Sequence, residues 1–312
     1  MTTSTEPATT EAGLVVAAAD GLRLPGRSEP VLPGIRIGSI AVDDDTIWVL
    51  TESDEVYRVT SDGDPERAAT LDDGSATCLH VHRGTVFVGG DDAGLWRLRD
   101  GTLEPVESFG EAPTRGDWYT PWGGPPSVLS MASHRDDLYV GVHVGGILRS
   151  DDGGETWTDT IDLHVDVHQV VVEPSGGTVW AATGERALAE SRDRGASWGF
   201  HTEGLHATYS LVLAVTSAGV LAGASSGHAG RDGVVYLFDG SRFERVEGLP
   251  APLGGAVGPR QIAADGDHAA LVAPGGAVYV SSDGGRRWQP VEHLSGATAI
   301  ALAIATWTAP RR

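Results

Sequence analysis

A chain of 312 residues, 40% of them hydrophobic, is long enough for one large core or two ordinary ones. Its formal charge of −21, with all 22 basic residues arginine, argues against nucleic acid or an anionic membrane as partner. A single cysteine, Cys78, excludes an intramolecular disulfide framework. The opening MTTSTEPATTEAG lacks the basic start and apolar run of a signal peptide, and no apolar stretch reaches membrane-spanning length. A soluble cytoplasmic protein with a solvated acidic surface is therefore expected, the acidic residues falling mostly in turns such as Asp43 to Asp45.

Forty-three glycines punctuate short Val, Ala and Leu runs, and none of these keeps a helical rhythm, so the chain reads as all-β. Residues 1–12 read as a disordered tail. LVVAA from Leu14 and GLRLP from Gly21 come next, followed by a first strand pattern, SIAVD from Ser39. That pattern recurs as CLHVH from Cys78, LSMAS from Leu129, QVVVE from Gln169, LVLAV from Leu211, QIAAD from Gln261 and IALAI from Ile300. Second patterns (IWVLT, VFVGG, LYVGV, VWAAT, VLAGA, AALVA) and third patterns (EVYRV, GLWRL, GILRS, ALAES, VVYLF, AVYVS) follow the first in fixed order. The last copy lacks its second and third members, and LVVAA and GLRLP supply them from the other end. The repeat therefore predicts one domain over residues 13–308, a seven-bladed β-propeller closed by pairing of its N- and C-terminal strands.

SDDGGETW from Ser150, SRDRGASW from Ser191 and SSDGGRRW from Ser281 each follow a third strand and fit S-x-D-x-G-x-x-W. Serine and aspartate can hydrogen-bond across such a turn, glycine supplies a backbone conformation other residues resist, and tryptophan can bury its ring between blades. This string resembles the Asp-box of BNR repeat propellers, known from sialidases and from propellers of other activity. The resemblance implies that Asp152, Asp193 and Asp283 are structural and lie away from any active site. It does not extend to sialidase chemistry, because IRIG from Ile35 only faintly echoes that family's arginine motif and no Tyr and Glu pair is well placed.

In propellers the loops entering first strands and those joining second to third strands share one face over the channel. Function is usually built on such loops. That rule gathers His143, His164, His168, His206 and His228 from three consecutive blades. In HVDVH, His164, Asp166 and His168 would all point one way from an extended segment. Imidazoles with a carboxylate make a partial site for Zn, Cu, Fe or Mn, and no organic cofactor is indicated. Trp118, Tyr119 and Trp122 on a long insertion form an expected wall for a flat or sugar-like ligand, with Arg186 beside it. Tyr209, Arg231 and Arg260, with Asp166, are the candidate acid, base and anion-holding groups. GASSG from Gly223 matches G-x-S-x-G, but that elbow needs a following helix and a strand follows Ser225 here.

The leading functional expectation is an enzyme, a metal-dependent hydrolase or lyase acting on a small molecule or carbohydrate at the channel face. Two alternatives stand beside it: a non-catalytic scaffold that binds a protein partner, and a metal-free lyase or glycosidase using His, Tyr and Arg.

Overall fold

The structure, a computed structural model, describes residues 13–60, 64–120 and 123–302. The tail expected over 1–12, the end of the 13–308 unit and Trp122 lie outside these residues. Seven antiparallel sheets make up the fold, six of four strands and one of three. Blade 1 is built from Ile37–Asp43, Thr46–Thr51, Glu55–Thr60 and Glu66–Thr70. Blades 2 to 6 repeat this order from inner strands Ala76–His82, Val128–His134, Val167–Val172, Leu213–Thr216 and Ile262–Asp265. The inner strands touch one another in sequence, and Ala299–Leu302 closes the circle against Ile37–Asp43.

Blade 7 is the split one. Ala299–Leu302 pairs with Leu14–Ala18, which pairs in turn with Gly21–Arg23. A bridge between Leu22 and Val31 stands where the other blades carry a fourth strand. Thus the N-terminal strand Leu14–Ala18 lies inside the last sheet, paired on both sides, and seals the ring as expected.

Second strands are covered on both sides, which explains why they read as continuous apolar runs rather than alternations. All five residues of Val179–Thr183 are buried, with Ala181 and Ala182 fully so. Small residues set the blade spacing: a Cβ on Gly89 would stand 2.4 Å from Val128 Cγ1 of the next blade. Polar side chains then tie inner strands together across blades. Ser39 Oγ accepts from Leu79 N–H at 3.3 Å, Ser130 Oγ from Val170 N–H at 2.8 Å, and Gln169 Oε1 from Leu213 N–H at 2.9 Å.

The three S-x-D-x-G-x-x-W turns share one hydrogen-bond pattern. In the first, Ser150 Oγ accepts from Gly154 N–H at 2.8 Å and donates to Asp152, whose carboxylate accepts from Thr156 N–H at 2.9 Å. Ser191 with Asp193, and Ser281 with Asp283, repeat it. Gly154 sits at φ +92, a left-handed conformation that disfavours side chains. Trp157 and Trp288 are buried at 8% and 2% exposure, and Trp157 meets Phe109, which follows the last strand of blade 2, edge-on at 4.9 Å. These turns are inter-blade clasps, and all three acidic side chains are consumed by them.

The insertion after blade 2 corrects one expectation. Glu107–Gly110 forms a short helix and Arg115–Asp117 a 3-10 turn, which fold the segment back onto the blades. Trp118 is thereby buried at 6% exposure, 5.3 Å from Phe109, with Nε1–H donating to Thr114 Oγ1 at 3.0 Å. It is a packing residue and not part of an exposed ligand wall.

Candidate metal centre

Blades 3, 4 and 5 bring one polar cluster together on the face opposite the clasps. His143 follows the second strand of blade 3, Asp137–Val142, and is fixed by His143 N–H donating to Ser127 O at 2.9 Å. Asp166 and His168 flank the start of the inner strand of blade 4, Val167–Val172. Two backbone bonds lock this junction, Val167 N–H to His143 O at 3.0 Å and Gly184 N–H to Asp166 O at 2.9 Å.

His143 Nε2 lies 2.9 Å and His168 Nε2 3.3 Å from Asp166 Oδ1, and all three ligand atoms fall within 4.8 Å of one another. Both imidazoles are buried, at 6% and 3% exposure. Burial by itself would favour the protonated Asp166, but the close approach of the His143 and His168 rings outweighs it and holds the carboxyl well below the usual carboxylate range. Although both nitrogens are close, Asp166 Oδ1 is buried and accepts no well-directed hydrogen bond.

The tautomer of His168 sharpens the chemistry. Its Nδ1 is 2.8 Å from Ser210 O, and a carbonyl only accepts, so Nδ1 carries the proton. A neutral His168 then presents an Nε2 lone pair to the Asp166 carboxylate. Lone pair facing lone pair is repulsive unless a proton or a cation lies between them. Fixing one ring nitrogen on a carbonyl so that the other is a free donor is the usual support of a metal-ligating histidine. Tyr209 Oη stands 3.2 Å from the same Nε2. Burial, with the Asp166 charge nearby, pushes the Tyr209 hydroxyl up to about 12, so it keeps its proton at neutral pH.

A cavity of about 310 Å³ opens over Asp166, lined by Tyr119, Asp162, His164, Glu185 and Arg186 among others. Three carboxylates against one arginine give this cavity a surplus of negative charge, which suits a cation. Tyr119 is 43% exposed and stands 6.3 Å from the His164 ring, so this part of the expected ligand wall does border the cavity. Arg186 lies there too, its guanidinium over the Phe200 ring at 4.6 Å.

Several expected members are placed elsewhere. His164 is exposed on the cavity wall, because residues 162–165 form a turn in which Asp162 Oδ1 accepts from His164 N–H at 2.9 Å. That turn breaks the alternation expected across HVDVH, and His143 from the neighbouring blade takes the third position. His206 is drawn to blade 5, 2.9 Å from Tyr236 Oη and 3.4 Å from Asp232. His228 and Arg231 are exposed on the loop before Val234–Phe238 and do not join the cluster. Arg260 lies in the central channel. Ser225 is buried, bonded through Oγ to Gly227 O at 3.0 Å and followed by a strand, so it forms no nucleophile elbow. Sequence reading missed Glu185 and the Ser210 carbonyl. Glu185 sits on a second-to-third-strand loop beside Arg186, the same loop class as His143, and that position was its signal.

No family model matches the chain, and no curated protein matches it. Solved structures do. The GH74 xyloglucanase from Xanthomonas campestris aligns at TM-score 0.58 and 15% identity over 89% of this chain and 46% of that one. YCF48 from Cyanidioschyzon merolae aligns at TM-score 0.58 and 15% identity over 86% of this chain and 89% of that one. The computationally designed Ika8 protein aligns at TM-score 0.58 and 13% identity, covering 90% and 81%. This chain spans less than half of the xyloglucanase. At these identities the likeness shows the propeller fold alone, a fold shared by glycoside hydrolases and by proteins that are not enzymes.

Proposed function

We propose that this propeller is a metal-dependent enzyme of hydrolase or lyase type, acting on a small molecule or carbohydrate in the cavity over Asp166. The observation that carries the reading is the convergence of His143 Nε2, Asp166 Oδ1 and His168 Nε2, with the His168 tautomer fixed by the Ser210 carbonyl. Two nitrogens and one carboxylate oxygen suit Zn, Cu, Fe or Mn and leave positions open for water and substrate. Such a metal, when bound, polarises a substrate oxygen or lowers the pKa of a bound water. Tyr209 holds a proton beside the cluster at neutral pH and would deliver it to a leaving oxygen. Tyr119 and His164 form the wall against which a sugar ring or other flat ligand would rest. The three Asp-box turns support placing the chain with the BNR repeat propellers, whose chemistry varies.

A second reading rests on one contact. Tyr209 Oη and Asp166 Oδ1 both stand within about 3.3 Å of His168 Nε2, a group of acid and base that would serve metal-free acid–base chemistry. A scaffold role draws less support, since among the described residues Tyr119 is the one exposed large hydrophobic side chain, and an apolar docking patch needs several. The deciding experiment is a screen of chromogenic glycosides and esters with chelated and metal-restored protein. Turnover that returns only with metal, and is absent in His168→Ala, supports the first reading. Turnover that survives chelation but is lost in Tyr209→Phe supports the second.

A further inference from the structure

Behind the metal-binding cluster, the inner strands enclose a second cavity of about 260 Å³ along the channel axis. Its wall is drawn from blades 1, 2, 3, 4 and 6 and includes Ser39, Cys78, His80, Ser130, His168 and Arg260. Arg260 is the only arginine in this wall, which contains no aspartate or glutamate. Among the described residues no carboxylate pairs with it, and its Nε is buried without a hydrogen-bond partner. The neighbouring groups do not neutralise it either. Burial pushes the Cys78 thiol up, keeping it uncharged, and burial with the nearby His82 lowers His80 to about 4, so its ring is neutral above that pH.

A half-buried guanidinium with an orphaned Nε and no carboxylate beside it is costly to maintain, and the backbone holds it there. Arg260 has φ +64, a conformation uncommon for a residue with a side chain. The turn holding it is cross-braced: Gly258 N–H donates to Gln261 Oε1 at 2.6 Å, and Ile300 N–H of blade 7 donates to Arg260 O at 2.9 Å. Ser39 and Ser130 also face this cavity, and each Oγ already accepts a backbone N–H, so their hydroxyl hydrogens are available to donate.

From this we infer that the central channel is a binding site for a small oxyanion, the phosphate or carboxylate group of a ligand, gripped by the Arg260 fork and the Ser39 and Ser130 hydroxyls. Guanidinium geometry matches either group through two parallel N–H donors. On a chain of formal charge −21 the general field repels anions, so retention of one must be local to this arginine. The inference stands apart from the metal reading, although His168 belongs to the His/Asp cluster and also lines this channel cavity.

The test uses full-length protein with metal removed by chelation, followed by thermal unfolding at fixed ionic strength with added inorganic phosphate, acetate or chloride. Wild type should gain stability in proportion to the logarithm of phosphate or acetate concentration and not with chloride. The anion that responds identifies the group. Arg260→Met should bind that anion about tenfold more weakly or worse, while losing no stability in anion-free buffer. An absent response in wild type, or an equal response in Arg260→Met, overturns the proposal. Should Arg260→Met fail to fold, wild-type crystals soaked in arsenate, an anomalously scattering oxyanion, decide. Anomalous density within hydrogen-bonding reach of the Arg260 guanidinium sustains the proposal, and its absence refutes it.

Discussion

Ring closure depends on one short strand whose alternate side chains grip different neighbours, and this can be tested by two small substitutions. Val15, with no exposed surface, packs with Leu22, Ile37 and Val49 toward blade 1. Val16, at 1% exposure, packs with Ala270, Val272 and Val278 toward blade 6. Truncating either to alanine removes two buried carbons, about 0.8 kcal/mol each, and leaves a cavity on one side of the blade. With the cavity included, each substitution should destabilise by about 2–3 kcal/mol. Because the two side chains face different clusters, their effects should add, giving about 4–6 kcal/mol for Val15→Ala with Val16→Ala. A loss of that size approaches the whole stability of many domains. Urea unfolding followed by tryptophan fluorescence measures it. A combined loss below about 1 kcal/mol would mean that the N-terminal strand does not close the ring.

Other consequences follow from individual side chains. Trp118→Ala should destabilise by about 3–5 kcal/mol in the same assay, whereas Tyr119→Ala, exposed on the cavity rim, should change stability by less than about 0.5 kcal/mol. Ser281→Ala strips the acceptor of Gly285 N–H and a donor to Asp283 and should cost about 1–2 kcal/mol; an unchanged unfolding midpoint would remove the clasp role. Asp152 is held at about 2 by hydrogen bonds from Thr156, against an ordinary 3.8. Its folded value is depressed, so its contribution is complete above about pH 4 and lost as pH falls toward 2. Asp152→Asn should therefore flatten the acid limb of a stability–pH curve in that window, and an identical limb in both proteins would contradict the assignment.

The fold was legible because the strand patterns recur in fixed order and the split blade leaves its missing members at the opposite terminus. Two cluster members, Asp166 and His168, were legible from their i, i+2 spacing across Val167, and His143 from its loop class. His164 was misplaced because Asp162, two residues earlier, caps a turn with its side chain; an aspartate there is a turn signal that outweighs apparent alternation. Trp118 was misplaced because the insertion carries its own apolar residues, Val106, Phe109 and Ala112, which draw the segment onto the blades. His206 is claimed by Asp232 and Tyr236, and no spacing along the chain encodes that pairing. Arg260 was expected on the channel face, but its lack of a carboxylate partner among the described residues is a property of the assembled ring.

The central claim is that His143, Asp166 and His168 together hold a divalent metal ion. Elemental mass spectrometry on untagged protein, beside His143→Ala, Asp166→Asn, His168→Ala and His164→Ala variants, tests it most directly. The account predicts near-stoichiometric transition metal in wild type and in His164→Ala, with loss in the other three. A metal-free wild type after exposure to Zn, Cu, Fe and Mn, or metal retained in folded His168→Ala, would contradict it.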